Sequence, residues 1–157
     1  MSSISDALAQ AIAQIKPKVD AALADEVANA VKKNEAESIE QQVYGVYKPK
    51  DYPRRGTKGG LGSKENMVAI VAGGVLTVTN ETPPASGDGY TTDKQLDILV
   101  EYGDGYSGNF YDFGSNGGGR YLFARPFTLH TIESLRGNKD HVEALRAGLK
   151  QRGLNVK

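Results

Sequence analysis

The chain has 157 residues, with 19 basic and 19 acidic side chains and no cysteine. The zero formal net charge argues against a protein that binds a polyanion over its whole surface. The lack of cysteine excludes disulfides, thiolate metal ligands and a cysteine nucleophile. The length predicts one domain over residues 1–157, with helices in 1–43, sheet and loops in 44–126, and further helices in 127–153. We expect neither a signal peptide nor a membrane-spanning helix, because no apolar run approaches the ~20 residues that a bilayer requires.

An amphipathic helix is predicted over residues 4–43, with Ser3 as its N-cap and Asp6 at the third helical position. Pro17 either kinks this helix or starts a second one at its first turn. The helix packs either on the protein's own sheet or, at its far end, on a neighbouring subunit. Apolar residues recur every three or four positions: Ile4, Leu8, Ile12, Ile15, Val19, Leu23, Val27 and Val31.

The middle of the chain predicts short strands separated by loops. Residues 43–47 resemble a short strand, and 50–65 have no apolar period and are expected to form an exposed loop. Residues 67–72 and 75–80 are rich in β-branched side chains, and Gly73–Gly74 between them suits a two-residue hairpin turn. The second of these strands alternates, so successive side chains are expected on opposite faces.

The C-terminal part predicts helices after a loop-rich segment. Residues 93–102 fit either a short helix, which we favour, or a buried strand. The Gly-rich stretch 103–119 is expected to project as a loop. After Pro126 a helix is predicted to about residue 136, with Phe127 in the core. Asn138 is expected to cap a last helix, which ends at Gly153.

Charge is segregated between two segments of the chain. Residues 44–64 carry Lys48, Lys50, Arg54, Arg55, Lys58 and Lys64 against Asp51 alone. Residues 81–113 carry Glu81, Asp88, Asp93, Asp97, Glu101, Asp104 and Asp112 against Lys94 alone. The segments are either solvated loops or complementary faces of neighbouring subunits, since charge pairs set register and orientation in an interface.

The basic loop 47–64 interleaves Tyr47 and Tyr52 with Arg54 and Arg55. Aromatic and basic residues together can grip a phosphate backbone and stack on bases. They are also the residue types that dominate binding energy in protein interfaces. We favour the protein interface, because the rest of the chain shows no basic excess.

No motif in the chain predicts catalysis, a cofactor or a metal ion. Residues 103–108 match GxGxxG in letters, but the Gly- and aromatic-rich sequence after them does not start the helix that a dinucleotide site needs. His130 and His141 lie eleven residues apart, without metal-ligand spacing. We therefore expect a protein that is not an enzyme and binds no cofactor.

The order of several local sequences resembles the HK97 gp10-like family of tailed phages, whose members are tail-completion, neck or minor structural proteins. The resemblance begins with residues 47–62 and 74–84 and continues with ValGluTyrGly at 100–103 and AlaArgProPhe at 124–127. It ends with the C-terminal stretch 141–153 and covers roughly residues 40–153. The segment 107–119 is longer and richer in glycine than the family pattern.

The resemblance implies an α+β fold, in which an antiparallel sheet with extended loops lies between a long N-terminal helix and C-terminal helices. It also implies a virion protein, assembled in the host cytoplasm, whose copies form a ring, usually six-fold, between the portal side of the head and the tail tube. Its partners would be copies of itself, head-closure or adaptor proteins, and tail-tube or terminator proteins, with DNA as cargo in the lumen and no membrane. A tail terminator or minor capsid component, and a nucleic-acid-binding module using loop 47–64, are the alternatives.

The interface residues predicted for this function come from the basic loop, the acidic segment and the turn before the C-terminal helices. They are Tyr47, Tyr52, Arg54, Arg55, Lys58, Glu101, Asp104 and Arg125.

Overall fold

The computed structural model describes residues 3–46, 58–83, 96–103 and 124–157. Its helices and strands are α1 (Ile4–Ala22), α2 (Ala28–Ile39), β1 (Met67–Ala72), β2 (Val75–Asn80), α3 (Leu96–Tyr102), α4 (Phe127–Asn138) and α5 (Asp140–Gln151). In this part of the chain the strands form a two-stranded antiparallel sheet, and the predicted α+β class is confirmed. The parts of the predicted loops at residues 50–57 and 104–119 lie outside the described residues, as does the start of the predicted helix at residues 93–95.

The predicted N-terminal helix is confirmed as one continuous helix from residue 4 to residue 44, because π-helical turns at Leu23–Val27 and Glu40–Tyr44 join its segments. Its start is a capping box. The Asp6 backbone N–H donates to Ser3 Oγ at 3.2 Å, and the Ser3 backbone N–H donates to Asp6 Oδ2 at 3.0 Å. The bonds to Ser3 hold the pKa of the Asp6 carboxyl below its ordinary value. Pro17 lies inside α1, so it does not start a second helix.

The short strand predicted at residues 43–47 is wrong where the structure describes it. Residues 40–44 form a π-helical turn, and the Gly45 backbone N–H donates to the Glu40 carbonyl at 2.6 Å. The helix continues because the Tyr44 hydroxyl, which accepts from the Gly62 backbone N–H at 3.2 Å, anchors this last turn. The exposed loop predicted over 50–65 is also wrong at residues 60–63, which are buried.

The β1–β2 hairpin has the predicted bounds. Gly73 and Gly74 adopt φ values of 60° and 80°, the positive values that a type I′ turn requires at both central positions. The predicted alternation of β2 is confirmed, because Leu76 and Val78 are half-buried and Asn80 is buried, whereas the side chains between them are exposed.

The predicted C-terminal helices are confirmed as α4 and α5, and the helix favoured for residues 93–102 is confirmed as α3 over residues 96–102, the part that the structure describes. The N-cap position of α5 is Lys139, in the left-handed region at φ 61°, and the Asn138 side chain accepts from the Asp140 backbone N–H at 2.9 Å. Gly153 ends α5 as predicted. The Leu154 backbone N–H returns to the Leu149 carbonyl at 3.0 Å, which is the six-to-one bond of a Schellman motif.

The chain packs as two compact units. Unit 1 comprises Met1–Lys32, Ala69–Val78 and Leu135–Lys157, and unit 2 comprises Lys33–Val68 and Thr79–Ser134. Among the described residues, the buried apolar side chains of unit 1 are Ala22, Val27 and Ala28; those of unit 2 are Ile39, Val43, Leu61, Met67, Val100 and Phe127. The core position predicted for Phe127 is confirmed. Thr131 is also buried on α4, whereas Leu129 and Ile132 are exposed.

Unit 1 depends on close contact between α5 and the long helix. The Arg152 guanidinium donates to Asp25 Oδ2 at 2.6 Å, to Glu26 Oε2 at 2.8 Å, and to the Gly148 carbonyl at 2.9 Å. A Cβ at Gly148 would lie 2.9 Å from the Glu26 carboxyl carbon and 3.0 Å from Ala22 Cβ. The two helices can therefore approach this closely only because residue 148 has no side chain.

We predict that Gly148→Ala destabilises the protein by about 1–3 kcal/mol, because the added methyl overpacks the contact with Ala22 and Glu26. Gly137→Ala is the matched control. It lies inside α4 with nothing within 4 Å of an added Cβ. This control should stabilise the protein by up to about 1 kcal/mol through helix propensity. Urea unfolding of both variants measures the difference, and a Gly148→Ala variant as stable as Gly137→Ala would contradict the close packing.

Candidate functional site

Asn80, at the end of β2, is a highly connected polar side chain in the described part of unit 2. Its Nδ2 donates to Glu35 Oε1 at 2.8 Å and to the Leu61 carbonyl at 3.0 Å. Its Oδ1 accepts from the Thr82 backbone N–H at 3.2 Å and from Thr82 Oγ1 at 2.6 Å. An asparagine amide has two donors and two acceptor lone pairs, so Asn80 is saturated. It ties α2 and the segment around Leu61 to the chain that leaves β2.

Two further polar contacts extend this buried cluster from α2 to α4. Ser134 Oγ donates to Asn34 Oδ1 at 3.0 Å, and His130 Nδ1 lies 3.1 Å from Ser38 Oγ. The three α2 side chains of the cluster, Asn34, Glu35 and Ser38, are all buried. Their spacing of one, three and four residues places them on one face of the helix.

A serine beside a histidine resembles the nucleophile and base of a hydrolase. The Ser38 hydroxyl, however, belongs to a side chain that is only 1 % exposed and lies on a helix packed in the unit. A nucleophile must reach a substrate carbonyl, and this hydroxyl has no open approach. The arrangement instead satisfies buried polar atoms and thereby fixes the pairing of α2 with α4 and with the end of the hairpin.

We predict that Asn80→Asp destabilises the protein by about 3–5 kcal/mol, because a second buried carboxylate would face Glu35 and the Leu61 carbonyl would lose its donor. Adding Glu35→Gln should restore a donor–acceptor pair between positions 35 and 80 and recover at least about 1 kcal/mol. Chemical denaturation of the two single variants and the double variant gives the coupling energy. Strictly additive losses would show that the two side chains do not interact.

The predicted interface residues fall into two groups. Tyr47, Tyr52, Arg54, Arg55 and Asp104 lie outside the described residues. Lys58 is exposed, and Glu101 and Arg125 are half-buried. Whether any of them contacts another subunit stays a prediction.

Glu101 has a role inside unit 2 that its sequence context did not reveal. Its Oε2 accepts from the Thr128 backbone N–H at 3.0 Å, in the first turn of α4. The first N–H groups of an α-helix have no acceptor within the helix, and the residue before α4 is Pro126, whose side chain cannot accept a hydrogen bond. The lack of an N-cap side chain before α4 could have shown from the sequence that an acceptor must come from elsewhere. It does not identify Glu101 as the residue that supplies this acceptor.

The turn before α4 is held by its backbone. The Arg125 N–H donates to the Val100 carbonyl at 2.9 Å, and the Phe127 N–H donates to the Arg125 carbonyl at 2.7 Å. The Arg125 Nη1 atom is itself buried. Residue 125 therefore helps to join the end of α3 to the start of α4 within unit 2.

Three acidic side chains, Asp97 and Glu101 of α3 and Glu81 after β2, interact electrostatically. Burial raises the pKa of the Asp97 carboxyl above its ordinary value of 3.8, the N–H groups of Ile98 and Asp97 oppose this, and the charges of Glu101 and Glu81 add to it. Asp97 Oδ1 is buried and has no hydrogen-bond partner among the residues that the structure describes. A raised folded-state pKa means that this group favours folding when protonated. The stability that protonated Asp97 contributes to the folded state is present below pH 3.8 and is lost as the pH rises through the raised folded-state pKa of this carboxyl.

We predict that Asp97→Asn raises the melting temperature at pH 7, because it removes a charge that the folded state solvates poorly. The gain should shrink as the pH falls toward 4, where the wild-type carboxyl becomes protonated. Thermal melts of wild type and variant between pH 7 and about pH 4 measure this gain in melting temperature. Glu133→Gln on the exposed surface of α4 is the control. A gain that is equal at both pH values would rule out a titrating penalty at Asp97.

Several large apolar side chains face solvent in the described structure. In unit 1 they form a stripe on α1 and a pair on the hairpin, and in unit 2 they lie on α3, on α4 and after the long helix. The residues are Ile4, Leu8, Ile12, Ile15, Ile70 and Val75, and then Val46, Ile98, Tyr102, Leu129 and Ile132. Clustered apolar exposure of this kind is typical of surfaces that bind other molecules.

Within the ranges that the structure describes, no three His, Asp or Glu side chains are grouped closely enough to hold a metal ion. Of the helices described, none is both long enough and apolar enough to cross a membrane.

The comparison with protein families gives one result. The family model described as YomN matches residues 7–151, which include the hairpin and the three C-terminal helices. No curated protein and no solved structure matches the chain. YomN is a phage-gene-derived family, so the phage association expected from the sequence is confirmed. The specific resemblance to the HK97 gp10-like family stays a prediction.

Proposed function

Because the chain belongs to the YomN family, which derives from a phage gene, we propose that it is a structural subunit of the virion of a tailed bacteriophage. The family makes it a phage-associated protein. Its finer role, in our proposal, is that of a neck or tail-completion subunit, which forms a ring between the portal side of the head and the tail tube. The family match over residues 7–151 is the observation that carries the phage association on which this proposal is built.

The surface of the subunit supports an assembly role. Exposed apolar residues occur on both units, so different parts of the chain can contact different neighbours. Contacts between unlike surfaces generate closed rings when the rotation closes. The polar cluster around Asn80 suits a fixed scaffold, because its hydrogen bonds are made within unit 2 and use up both donors and both acceptors of the amide.

The partners proposed for this role are other copies of the chain in a ring of six, head-closure or adaptor proteins on one side, and tail-tube or terminator proteins on the other. DNA passes through the lumen as cargo, and the mature protein is part of the virion. The basic segment 44–64 and the acidic segment 81–113 supply opposite charges for contacts that orient neighbours.

The decisive experiment is genetic. A phage that lacks the gene should assemble filled heads and complete tails that remain unjoined, as seen by negative-stain electron microscopy of lysates. Supplying the wild-type chain in trans should restore joined particles, and a tagged copy should be found at the neck. Normal particles without the gene would refute the proposal.

We predict that Arg54→Glu with Arg55→Glu reduces joined particles by at least about tenfold, because the substitution reverses two charges of the proposed interface. Arg136→Glu with Lys150→Glu is a charge-matched control on the exposed faces of α4 and α5. Complementation titres of the two double variants measure the effect.

The same variants test the alternative function. If the loop 47–64 is a nucleic-acid-binding module, purified wild-type protein will retain duplex DNA with a steep salt dependence, and the Arg54/Arg55 variant will not. Retention of DNA by the wild type, loss of that retention in the Arg54/Arg55 variant, and normal joining of particles by the same variant would favour the alternative and contradict the interface.

A further inference from the structure

We propose that the free subunit associates with a second copy of itself through the exposed apolar stripe of α1, with the two α1 helices antiparallel. The inference goes beyond the proposed function and does not depend on it, because it concerns the subunit before any assembly with other proteins. It rests on the exposure, the composition and the charge pattern of residues 4–18.

The stripe is apolar and open to solvent. Ile4, Leu8, Ile12 and Ile15 have 90 %, 60 %, 55 % and 44 % of their surfaces exposed, and every residue from 3 to 17 is exposed. From Ile4 to Ile15 the stripe extends about 16 Å along the helix. Four large apolar side chains in one row on a solvated helix form a patch of a few hundred Å², which is at the upper limit for a monomeric protein.

The same face of α1 already binds a helix within unit 1. At 100° per residue, Ala22 lies on the face of Ile4, Leu8 and Ile15. Ala22 is fully buried, and α5 packs against it at Gly148. The face is therefore covered by a helix at residue 22 and uncovered from residue 4 to residue 15. A helix from a second copy would continue the packing that α5 begins.

The composition suits pairing with an identical helix. Residues 7–15 read ALAQAIAQI and contain no charged side chain, so bringing two copies together desolvates no charge. The alanines beside the stripe allow close approach of the helix axes. Leu8, Ile12, Ile15 and Val19 follow the spacing of four, three and four residues that two-stranded coiled coils use.

The flanking charges select the antiparallel arrangement. Lys16 and Lys18 border the stripe on its two sides, at the C-terminal end of the exposed segment. In a parallel pair the lysines of both copies would meet, whereas in an antiparallel pair they lie at opposite ends. The antiparallel pair centred near residue 10 places Leu8 of one copy opposite Ile12 of the other. Such a contact is isologous and produces a dimer, not a ring.

The size of the stripe sets the strength of the contact. A few hundred Å² per copy is below the roughly 800 Å² per partner of a stable complex, so the dimer should be weak and depend on concentration. We expect sedimentation velocity to show a monomer at low micromolar concentration and a growing dimer fraction at high micromolar concentration.

The test compares Leu8→Glu with Ile12→Glu against the control Gln10→Glu with Ala13→Glu, which adds the same two charges to the opposite face of the same turns. The stripe variant should increase the dimer dissociation constant at least about a hundredfold, because it buries unpaired carboxylates in the contact. The control should dimerise like wild type. Circular dichroism should show equal helix content in both, since all four positions are exposed.

The orientation is tested with single-cysteine variants. The wild-type chain has no cysteine, so each variant carries one thiol. In an equimolar mixture of Leu8→Cys and Ile12→Cys chains, the mixed disulfide should form faster than either homodimeric one. Faster 8–8 and 12–12 disulfides would overturn the antiparallel pair. A wild-type chain that stays monomeric, or a stripe variant that dimerises like the control, would overturn the inference itself. A dimeric chain absent from phage particles would refute the proposed function alone.

Discussion

The saturated amide of Asn80 is the interaction on which unit 2 depends. In the described part of this unit, seven polar side chains are buried beside six apolar ones, so its interior is not built from apolar side chains alone. Each buried polar group must have a partner or cost about 1–3 kcal/mol. Asn80 meets this condition for three segments at once, because α2, the Leu61 segment and the Thr82 backbone all bond to one side chain. The register of the hairpin end against α2 follows from that requirement.

Unit 1 is held by a different constraint, which is steric. Its described apolar core consists of small and medium side chains, and Gly148 allows α5 to come within contact of Ala22 and Glu26. Arg152 then satisfies both acidic side chains of the adjoining π-helical turn. Close approach of two helices and charge pairing at their contact therefore replace a large apolar core.

Both units carry exposed apolar side chains that bear on the proposed function. Large apolar side chains that the described fold leaves exposed are available for contacts with other molecules. The α1 stripe and the exposed residues of α4 are of this kind. For a phage-associated protein the arrangement suits subunit contacts, and the chemistry of a catalytic site plays no part in our proposal.

The sequence by itself determined the elements whose signals are local. The Ser3–Asp6 capping box, the Gly73–Gly74 turn and the Gly153 helix end each require particular residue types at neighbouring positions, so their bounds were predicted correctly. Only the tertiary structure decided the contacts between distant residues. The hydroxyl of Tyr44 keeps the end of the long helix helical where a strand was expected, Glu101 caps α4 from another helix, and Asn80 unites residues 35, 61 and 82. The amphipathic period of α1 likewise predicted a helix but not which part of its face is covered. Local periodicity reports the conformation of a segment, whereas burial depends on which distant segment packs against it.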